Sequence, residues 1–529
     1  ERSVLQNRST FLTLDYGASA DVTLGKLVAT TSAGVQYYYK QFDIVSGSGT
    51  NFAIPGPSDI SGGSTITAEE QFLENKTFGA YVQEQLAFNN RFFFTAAVRG
   101  DDNSAFGENF NAVYYPKFSV SWVLSEEPFL ANSGLFSQLK VRGAWGKAGQ
   151  QPDVFSAIQT YAPALGTGGQ GGVTPQNFGN PDLKPEIGQE TEFGFDAGFF
   201  NQRLGIEFTY YDKKVKDAIL SLPLRPSRGF PGSQFLNIGE TRNKGIELAV
   251  DGTVLNSRNV GLDLRATFAT NDSKITDMGG TPPAFVGSGF IQQWNVEGFA
   301  PSSYFFKRVV SSNIQPLNIG IPLPVGFDPM CEGGTELGEG DGSVVPCANA
   351  PRLFHGRPTP SWNGSVSANV RLGQRLRLLG MVDYLGGNHA LVGDVAAIHA
   401  FFLSSEAVLK GTSEIVSGYL GTQFLLGDPN SVGVLGMMKG GFAKLRILSA
   451  TYDLPPSVNR WLGASRGAIT VSGENLLTLW RAQSEVFGVK FVDSEIMGNR
   501  TFDNTGNFGY NQESWPQLAR FRTTIRFTF

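Results

Sequence analysis

The chain has 529 residues, and its 42 Lys and Arg against 47 Asp and Glu give a formal net charge of −5. Only 17% of the residues are charged, three are His and two are Cys, whereas 65 are Gly and 42 are Phe. This balance excludes a small disulfide-rich scaffold, a zinc protein built on Cys and His, and a basic nucleic-acid binder. The sequence contains no run of 18 apolar residues, so no transmembrane helix is predicted.

The dominant pattern along the chain is an alternation of apolar and polar residues. In one segment, Leu204, Ile206 and Phe208 alternate with Glu207 and Thr209. Successive side chains of a strand point to opposite faces, so each such segment is predicted to be a strand with one apolar side. In chain order, strands are predicted near 11–18, 21–40, 72–88, 92–105, 113–124, 137–149, 186–199, 203–220, 235–252, 260–275, 361–372, 376–388, 437–454, 467–480 and 517–529.

The predicted connections between these strands alternate in length. Short turns are predicted near 89–91, 200–202, 253–258 and 373–375, and long loops near 45–70, 150–185, 276–360, 389–436 and 481–516. A soluble β-sandwich also has alternating strands, but they are usually shorter. Short turns on one side and long loops on the other are typical of an outer-membrane barrel, and its alternation also explains the mean hydropathy of −0.11. We therefore predict an all-β protein, a transmembrane antiparallel β-barrel.

The number of predicted strands indicates that the chain is one part of a larger barrel. Single-chain bacterial barrels have an even number of strands, whereas the predicted count is odd. If the short turns are periplasmic, the segments near 11–18 and 517–529 both run towards the periplasm. These two segments are therefore predicted not to pair with each other, and an odd number of further strands is expected before them. Because residue 1 is Glu and no signal peptide precedes it, we expect a processed chain or a fragment.

Five stretches of the sequence resemble segments of one family. FGENFNAVYYPKFSVSWVLSEEPFL at 106–130, preceded by RGDDNSAFG at 99–107, resembles a stretch of the SusC/RagA-type TonB-dependent outer-membrane transporters. NPDLKPEIGQETEFGFDAG at 180–198 is similar to a segment common to many TonB-dependent receptors. The family's order continues with NIGETRNKGIELAV at 237–250, LRILSATYDLP at 445–455 and SGENLLTL at 472–479. The terminal aromatic residue, Phe529, also matches such barrels.

The resemblance implies a barrel of about 22 strands, plugged by an N-terminal domain. Residues 1–529 would be its C-terminal portion, without the plug and the first strands, and residues 276–360 would be a long extracellular loop insertion. The implied function is TonB-dependent active import of a bulky nutrient, an oligosaccharide or a peptide, across the bacterial outer membrane. The implied partners are outer-membrane lipids, TonB with its inner-membrane energising complex, a SusD-like surface lipoprotein, and the missing N-terminal plug and strands. A passive porin-like barrel and a structural outer-membrane scaffold are the alternatives.

We expect no enzymatic activity, no cofactor and no nucleic-acid partner. None of the sequence motifs of zinc proteases, α/β-hydrolases or P-loop proteins is present, so no catalytic, cofactor-binding or metal-binding residue is predicted. His355, His389 and His399 lie in or beside predicted long loops and are interpreted as solvated, and a metal or haem site where His389 and His399 meet in space is the disfavoured alternative. Arg99–Asp101 reads RGD, but the end of a strand is the favoured interpretation over an adhesion motif.

The two cysteines, Cys331 and Cys347, lie in one predicted loop. Because outer-membrane loops face an oxidising exterior, a disulfide is predicted between them. The same loop carries five carboxylates whose spacing fits no EF-hand, so a solvated loop is favoured over a calcium site. These carboxylates are Asp328, Glu332, Glu336, Glu339 and Asp341.

Two further groups of residues are candidates for function. Candidate ligand-contacting aromatic residues of the loops are Trp294, Tyr304, Phe306, Phe401, Tyr510 and Trp515. Packing of the loops against one another, or a place in the interfacial aromatic belt, is the alternative role for these rings. In the terminal strand, Phe521, Ile525, Phe527 and Phe529 are predicted to face lipid. The predicted lumen-facing cations are Lys444, Arg446, Arg520, Arg522 and Arg526, which would pair with acids of the plug or of neighbouring strands.

Overall fold

The structure is a computed structural model. It describes residues 2–52, 59–109, 112–131, 134–224, 227, 233–287, 289–318, 322–400, 413–490, 493, 495, 510–511 and 517–529. Fifteen strands follow one another in a single antiparallel sheet, each beside its neighbours in the sequence. Numbered β1 to β15, they are Arg2–Leu24, Leu27–Phe52, Gly63–Phe88, Phe92–Asn103, Val113–Val123, Phe136–Gln150, Glu186–Phe199, Leu204–Pro223, Ser233–Asn256, Val260–Thr270, Trp362–Leu372, Leu376–Gly386, Phe442–Asp453, Arg466–Arg481 and Arg520–Thr528. A sixteenth strand, Asp272–Asp277, pairs with β9 outside this order.

The predicted strands and the predicted fold class are confirmed. Each of the fifteen predicted segments lies mainly on a different strand of the sheet, in the predicted order, and β1 and β15 are the end strands of that order. The predicted absence of a ladder between these two strands stays a prediction. No helix in the described part of the chain is long and apolar enough to cross a membrane.

One predicted loop, near 45–70, is wrong for most of its length. β2 continues to Phe52 and β3 begins at Gly63, so both strands extend far into it. Small Gly, Ser and Thr residues weaken the alternation there, but the ladder with the neighbouring strand imposes an extended backbone. The pair Ser48 and Thr67 shows this, because their hydroxyl groups lie 2.6 Å apart across the two strands.

The chain divides into two compact units. The first comprises residues 1–124, 141–193 and 213–241, and the second comprises the remainder. In the first unit, β1 to β5 form continuous ladders, and tight turns join β1 to β2 and β3 to β4. The predicted turn near 89–91 is confirmed, because Asn89 and Asn90 have φ angles of 53° and 55° and the Arg91 N–H donates to the Phe88 carbonyl at 3.0 Å, which closes the turn. The loop near 150–185 contains a two-stranded hairpin, whose strands are Thr160–Leu165 and Gly171–Asn177.

The second unit contains the ladders from β10 to β15 and most of the remaining short elements. Among its described residues, the helices are α1, Gly393–Ala400; α2, Glu414–Phe424; and α3, Pro456–Trp461. Its short strands are Ala284–Phe285, Gln293–Asn295, Ser303–Phe306, Val309–Asn318, Pro322–Gly334, Gly340–Pro346, Leu353–Gly356, His389–Val392, Met437–Lys439, Glu485–Val486, Val489–Lys490 and Tyr510–Asn511. Short 3-10 helices in the two units are Ile60–Gly62, Leu124–Glu126, Thr167–Gly169, Cys347–Asn349 and Ser431–Gly436.

Candidate functional site

Three long connections of the second unit start at the same end of its strands. They follow β10, β12 and β14, which run parallel to one another because adjacent strands are antiparallel. We call the described residues of 271–361, 387–441 and 482–519 the loop assembly. Apolar side chains from the first two connections share one hydrophobic core, in which Tyr304, Leu391, Leu420 and Leu435 have no exposed surface. The predicted long loops near 276–360 and 389–436 are therefore folded structure with their own core.

Helix α2 joins the two connections of this core. Its Ser413 N-cap accepts a hydrogen bond from the Val416 backbone N–H, which fixes the start of the helix. Tyr419 is buried; its hydroxyl accepts from the Val309 N–H and donates to the Lys307 carbonyl, both at 3.2 Å. Burial raises the pKa of Tyr419 to about 12, so the phenol stays protonated and keeps both hydrogen bonds.

The predicted disulfide is confirmed, and it lies in this core. Cys331 and Cys347 are bonded and neither has any exposed surface. Cys331 belongs to the strand Pro322–Gly334, which pairs with the strands on both sides of it in the sequence. The bridge therefore ties the middle strand of a three-stranded sheet to the turn that follows the third strand.

The acidic residues of this sheet form local pairs. Glu332 contacts Arg308 and Glu336 contacts Arg352, each at 2.6 Å, while Asp341 accepts two hydrogen bonds from Ser343. Within the described residues, no three His, Cys, Asp or Glu side chains are placed to hold a metal ion. Hydrogen bonding by Ser343 lowers the pKa of Asp341, so this carboxyl is ionised at neutral pH. These contacts support a structural role for the carboxylates rather than a calcium site.

The interpretation of the loop histidines as solvated is wrong for two of them. His355 and His389 are half-buried, and they lie close enough for their charges to interact. Burial lowers the pKa of His355 to about 4, assisted by the positive charges of Arg308 and His389, although the ring nitrogen contacts the Leu353 carbonyl at 3.0 Å. Burial and the nearby Lys439 lower the pKa of His389 as well. The third histidine lies in α1.

The predicted ligand-contacting aromatic residues have different environments. Tyr304 and Phe306 are 0% and 1% exposed, so they pack the loops together, which is the alternative that the sequence left open. Trp294 is half-buried, and the Arg352 guanidinium lies 4.5 Å from its ring centroid. Tyr510 belongs to a short strand whose backbone pairs with Leu391. The remaining two candidates, Phe401 and Trp515, lie outside the described residues.

Two of the predicted lumen-facing cations form a charge network on β13. Lys444 is almost completely buried, and its ammonium group contacts Asp493 at 2.6 Å and Glu495 at 2.8 Å. Arg446 contacts Asp383 of β12 and Glu495, both at 2.7 Å. Burial alone would raise the pKa of Glu495, but hydrogen bonds from Arg446 and Lys444 outweigh it and the pKa is lowered. The network therefore ties the third connection of the loop assembly to the strands beneath it, and sequence reasoning had named only its cations.

The terminal strand β15 pairs on one side with β14, from Arg466 opposite Thr528 to Glu474 opposite Arg520. All of its side chains are exposed, with Phe521 at 79% and Ile525 at 58%. The alternation of the strand places Phe521, Ile525 and Phe527 on the face opposite Arg520, Arg522 and Arg526. Assignment of these two faces to lipid and lumen stays a prediction.

The RGD sequence is part of β4, inside the first unit. The Arg99 Nε donates to both carboxylate oxygens of Asp101, at 2.8 and 3.0 Å, and Nη2 donates to Gln36. A Cβ added at Gly79 of β3 would stand 2.2 Å from Asp101 and 2.3 Å from Arg99, so the absence of a side chain at Gly79 leaves room for the ion pair. The Arg and Asp side chains thus neutralise each other on the strand surface, which disfavours an adhesion motif.

Residues of the strands and of the loop assembly line several cavities. In the first unit, a cavity of about 730 Å³ places Glu186, Glu190 and Glu192 together with Lys117 and Lys213. A second cavity of about 630 Å³ in the same unit, which we call the amide cavity, is lined by Tyr38, Phe42, Asn75, Thr77 and Gln151, among others.

The loop assembly holds a third cavity, of about 500 Å³. Its lining includes the ion pair of Lys307 and Asp428, at 3.6 Å, and the pair of Arg352 and Glu336. All three cavities lie in the size range of ligand sites.

Comparison with known proteins identifies the family. Residues 2–319 match the family described as TonB dependent receptor-like, beta-barrel. TonB-dependent receptor P26 of Formosa agariphila is 31% identical over 486 residues, which cover 84% of this chain and 45% of the relative. TonB-dependent receptor P3 of the same organism is 24% identical over 491 residues, covering 89% and 47%. TonB-dependent receptor SusC of Bacteroides thetaiotaomicron is 26% identical over 337 residues, covering 57% and 34%.

A solved structure shares the fold over the whole chain. The RagAB peptide importer in the closed-closed state superposes with a TM-score of 0.78 at 18% identity, covering 100% of this chain and 56% of that one. This chain spans less than half the length of the P3 and P26 receptors. Because the family match covers more than half of the sequence, the chain belongs to the TonB-dependent receptor-like β-barrel family, and it is an integral protein of the outer membrane.

Proposed function

We propose that this chain is the strand-rich portion of a transporter that imports a bulky nutrient through the outer membrane, driven by TonB. The observation that carries the proposal is the loop assembly, because two connections that leave the same end of the strands build a structure with its own hydrophobic core and a polar cavity. Residues 276–360, the largest part of this structure, form the extracellular insertion. A cored assembly of this kind offers a fixed surface for capturing a large solute, which a set of independent loops does not.

The energy source and partners follow from the relatives. SusC and the P3 and P26 proteins are named TonB-dependent receptors, and the RagAB structures are those of a peptide importer. By analogy, TonB and its inner-membrane complex supply the energy, and a SusD-like lipoprotein assists capture at the cell surface. An N-terminal plug with further strands completes the barrel. The nutrient, an oligosaccharide or a peptide, crosses without chemical change.

Uptake in cells tests this function. A strain in which the gene is deleted receives a mixture of oligosaccharides and peptides, and mass spectrometry follows their depletion from the medium. We expect at least one component to persist in the deletion strain and to be consumed again when the full-length gene is restored. Collapse of the proton gradient with a protonophore should stop that consumption, and the component should reach the periplasm with its mass unchanged.

The passive porin is the competing function, and the same strains discriminate it. Consumption that continues after the gradient collapses would contradict TonB-driven import. Stable conductance steps of the purified full-length protein in planar bilayers would support the porin directly. A complete purified complex without any SusD-like subunit would favour the scaffold alternative.

A further inference from the structure

The amide cavity of the first unit stands at the end of its strands that is remote from the short turns. Lys40, which lines it, pairs with Asn75 thirteen positions along the β2–β3 ladder from the pair of Leu27 and Phe88. A strand crosses the hydrocarbon layer in about 9–11 residues. The cavity therefore lies beyond the membrane-crossing stretch, on the side of the long connections, where a nutrient arriving from outside meets the protein.

Hydrogen bonds join the polar side chains of this cavity into a fixed network. The amides of Asn75 and Asn103 donate to each other, at 3.1 and 3.0 Å. Asn103 also donates to the Thr77 hydroxyl at 2.6 Å, and Gln151 donates to the same oxygen at 3.0 Å. Thr77 of β3 and Asn103 of β4 are each only 5% exposed, so the network is fixed to the sheet. Such an arrangement holds its groups in place before any ligand binds.

The network leaves defined hydrogen-bonding capacity towards a ligand. The Thr77 oxygen accepts two hydrogen bonds, so its own proton is the group it can offer further. An amide has two donor hydrogens and two acceptor lone pairs, and the reciprocal pair uses one of each on Asn75. Adjacent donors and acceptors of this kind match hydroxyl groups, which both donate and accept.

Aromatic rings stand on the same face of the cavity. Tyr38 and Phe42 are four positions apart on β2, and both are half-buried. The Phe11 ring of β1 contacts the Phe42 ring edge-on, with centroids 5.6 Å apart, which limits its movement. Rings beside amides provide an apolar surface next to hydrogen-bonding groups, and a sugar ring presents the complementary pair of surfaces. The two charged residues of the lining, Lys40 and Asp153, are of opposite sign and give no net charge.

The strands that line the cavity give a peptide backbone no place to pair. β2 pairs with β1 and β3, and β3 pairs with β2 and β4, so both of their edges are occupied. Addition of a peptide as an extra strand requires a free edge. We propose that the amide cavity is a binding subsite for a neutral oligosaccharide. This proposal rests on the proposed import function and names its substrate class.

Equilibrium binding to the purified full-length protein tests the subsite. The probes are a panel of neutral oligosaccharides of about four to ten units, drawn from glucan, mannan, xylan, galactan and fructan, and a pool of random decapeptides. We expect binding of at least one oligosaccharide. Loss of the Tyr38 ring in Tyr38→Ala, or of the amide in Gln151→Ala, should each weaken that binding by about 3- to 10-fold. Tyr38→Phe, which retains the ring, should lose less and guards against a folding defect.

Tyr37→Ala is the matched control. Tyr37 is the adjacent residue of β2, and it pairs with Phe78, whose side chain is 52% exposed on the opposite face. Oligosaccharide binding should be the same in this variant and in the wild type. Binding of the peptide pool alone, binding only of charged sugars, no binding of the panel, or equal losses in Tyr37→Ala and Tyr38→Ala would each overturn the proposal. Because the uptake experiment is read in cells with and without the gene, import can stand even if this subsite fails.

Discussion

Removing the disulfide of the loop assembly should destabilise the three-stranded sheet that contains Cys331, without disturbing strands β1 to β15. The change is the double substitution Cys331→Ala and Cys347→Ala. The bridge closes a segment with a sequence separation of 16, and loss of a closure of that size costs about 3 kcal/mol of stability. That value corresponds to roughly a hundredfold increase in the opening equilibrium of the attached sheet. The effect arises chiefly because the unfolded segment gains conformational freedom.

Hydrogen exchange of the full-length protein, followed by mass spectrometry, measures this opening. Amides in Pro322–Gly334 and Gly340–Pro346 should exchange up to about a hundredfold faster in the variant, whereas amides of the β2–β3 ladder should exchange as before. Wild type treated with a thiol reductant keeps the buried sulfur atoms, so it separates the bridge from the small cavities that alanine leaves. Unchanged exchange in both the variant and the reduced protein would refute the reasoning.

Three other measurements probe separate parts of the second unit. Burial lowers the pKa of His355 to about 4 in the folded state, so the loop assembly should be fully stable above about pH 6.5 and should lose about 3 kcal/mol as the pH falls to about 4, below which the loss levels off. Exchange rates in His355→Gln should show less of this pH dependence, and an identical profile would contradict the prediction. Lys444→Met leaves Asp493 and Glu495 without their buried ammonium partner and should lower the free energy of unfolding by about 3 kcal/mol, measured by denaturant unfolding. Lys444→Arg is the milder control, and equal denaturation midpoints for wild type and both variants would show that the network is not stabilising. Phe527→Arg should reduce the heat-modifiable, membrane-assembled fraction more than Arg526→Phe does, because a cation facing lipid costs about 2–4 kcal/mol, and equal assembly would argue against the assigned faces.

Strands β1 to β15 were predictable because the two faces of each strand lie in different environments. Residues such as Leu204 and Glu207 alternate with a period that the backbone itself imposes, so the pattern survives in the sequence. The end of β2 was not predictable on the same grounds. Its Ser48 is held extended by the facing strand and not by any preference of its own.

The loop assembly was less accessible to sequence reasoning, since its strands are short and its core is made by residues distant along the chain. Tyr304, Phe305 and Phe306 are consecutive and all buried, which no two-residue period describes. An apolar run inside a predicted loop is itself a signal of a local core, and that signal could have identified these rings as packing residues. Cys331 and Cys347 were predictable because no other cysteine offers a partner. The carboxylate partners of Lys444 lie about 50 positions away, a separation at which charge patterning gives no information.

The length of β2 and β3 determines how far the protein extends beyond the membrane. β2 and β3 have 26 residues each, so each extends about 85 Å, whereas the hydrocarbon layer is about 30 Å thick. More than half of this ribbon therefore stands clear of the lipid on the side away from the short turns. An antibody or a bacteriophage tail approaching the cell would meet its rim, around residues 46–52 and 63–69, before reaching any lipid. Residues 64–69 of this rim are exposed, so an epitope tag inserted there should be accessible to an antibody on living cells.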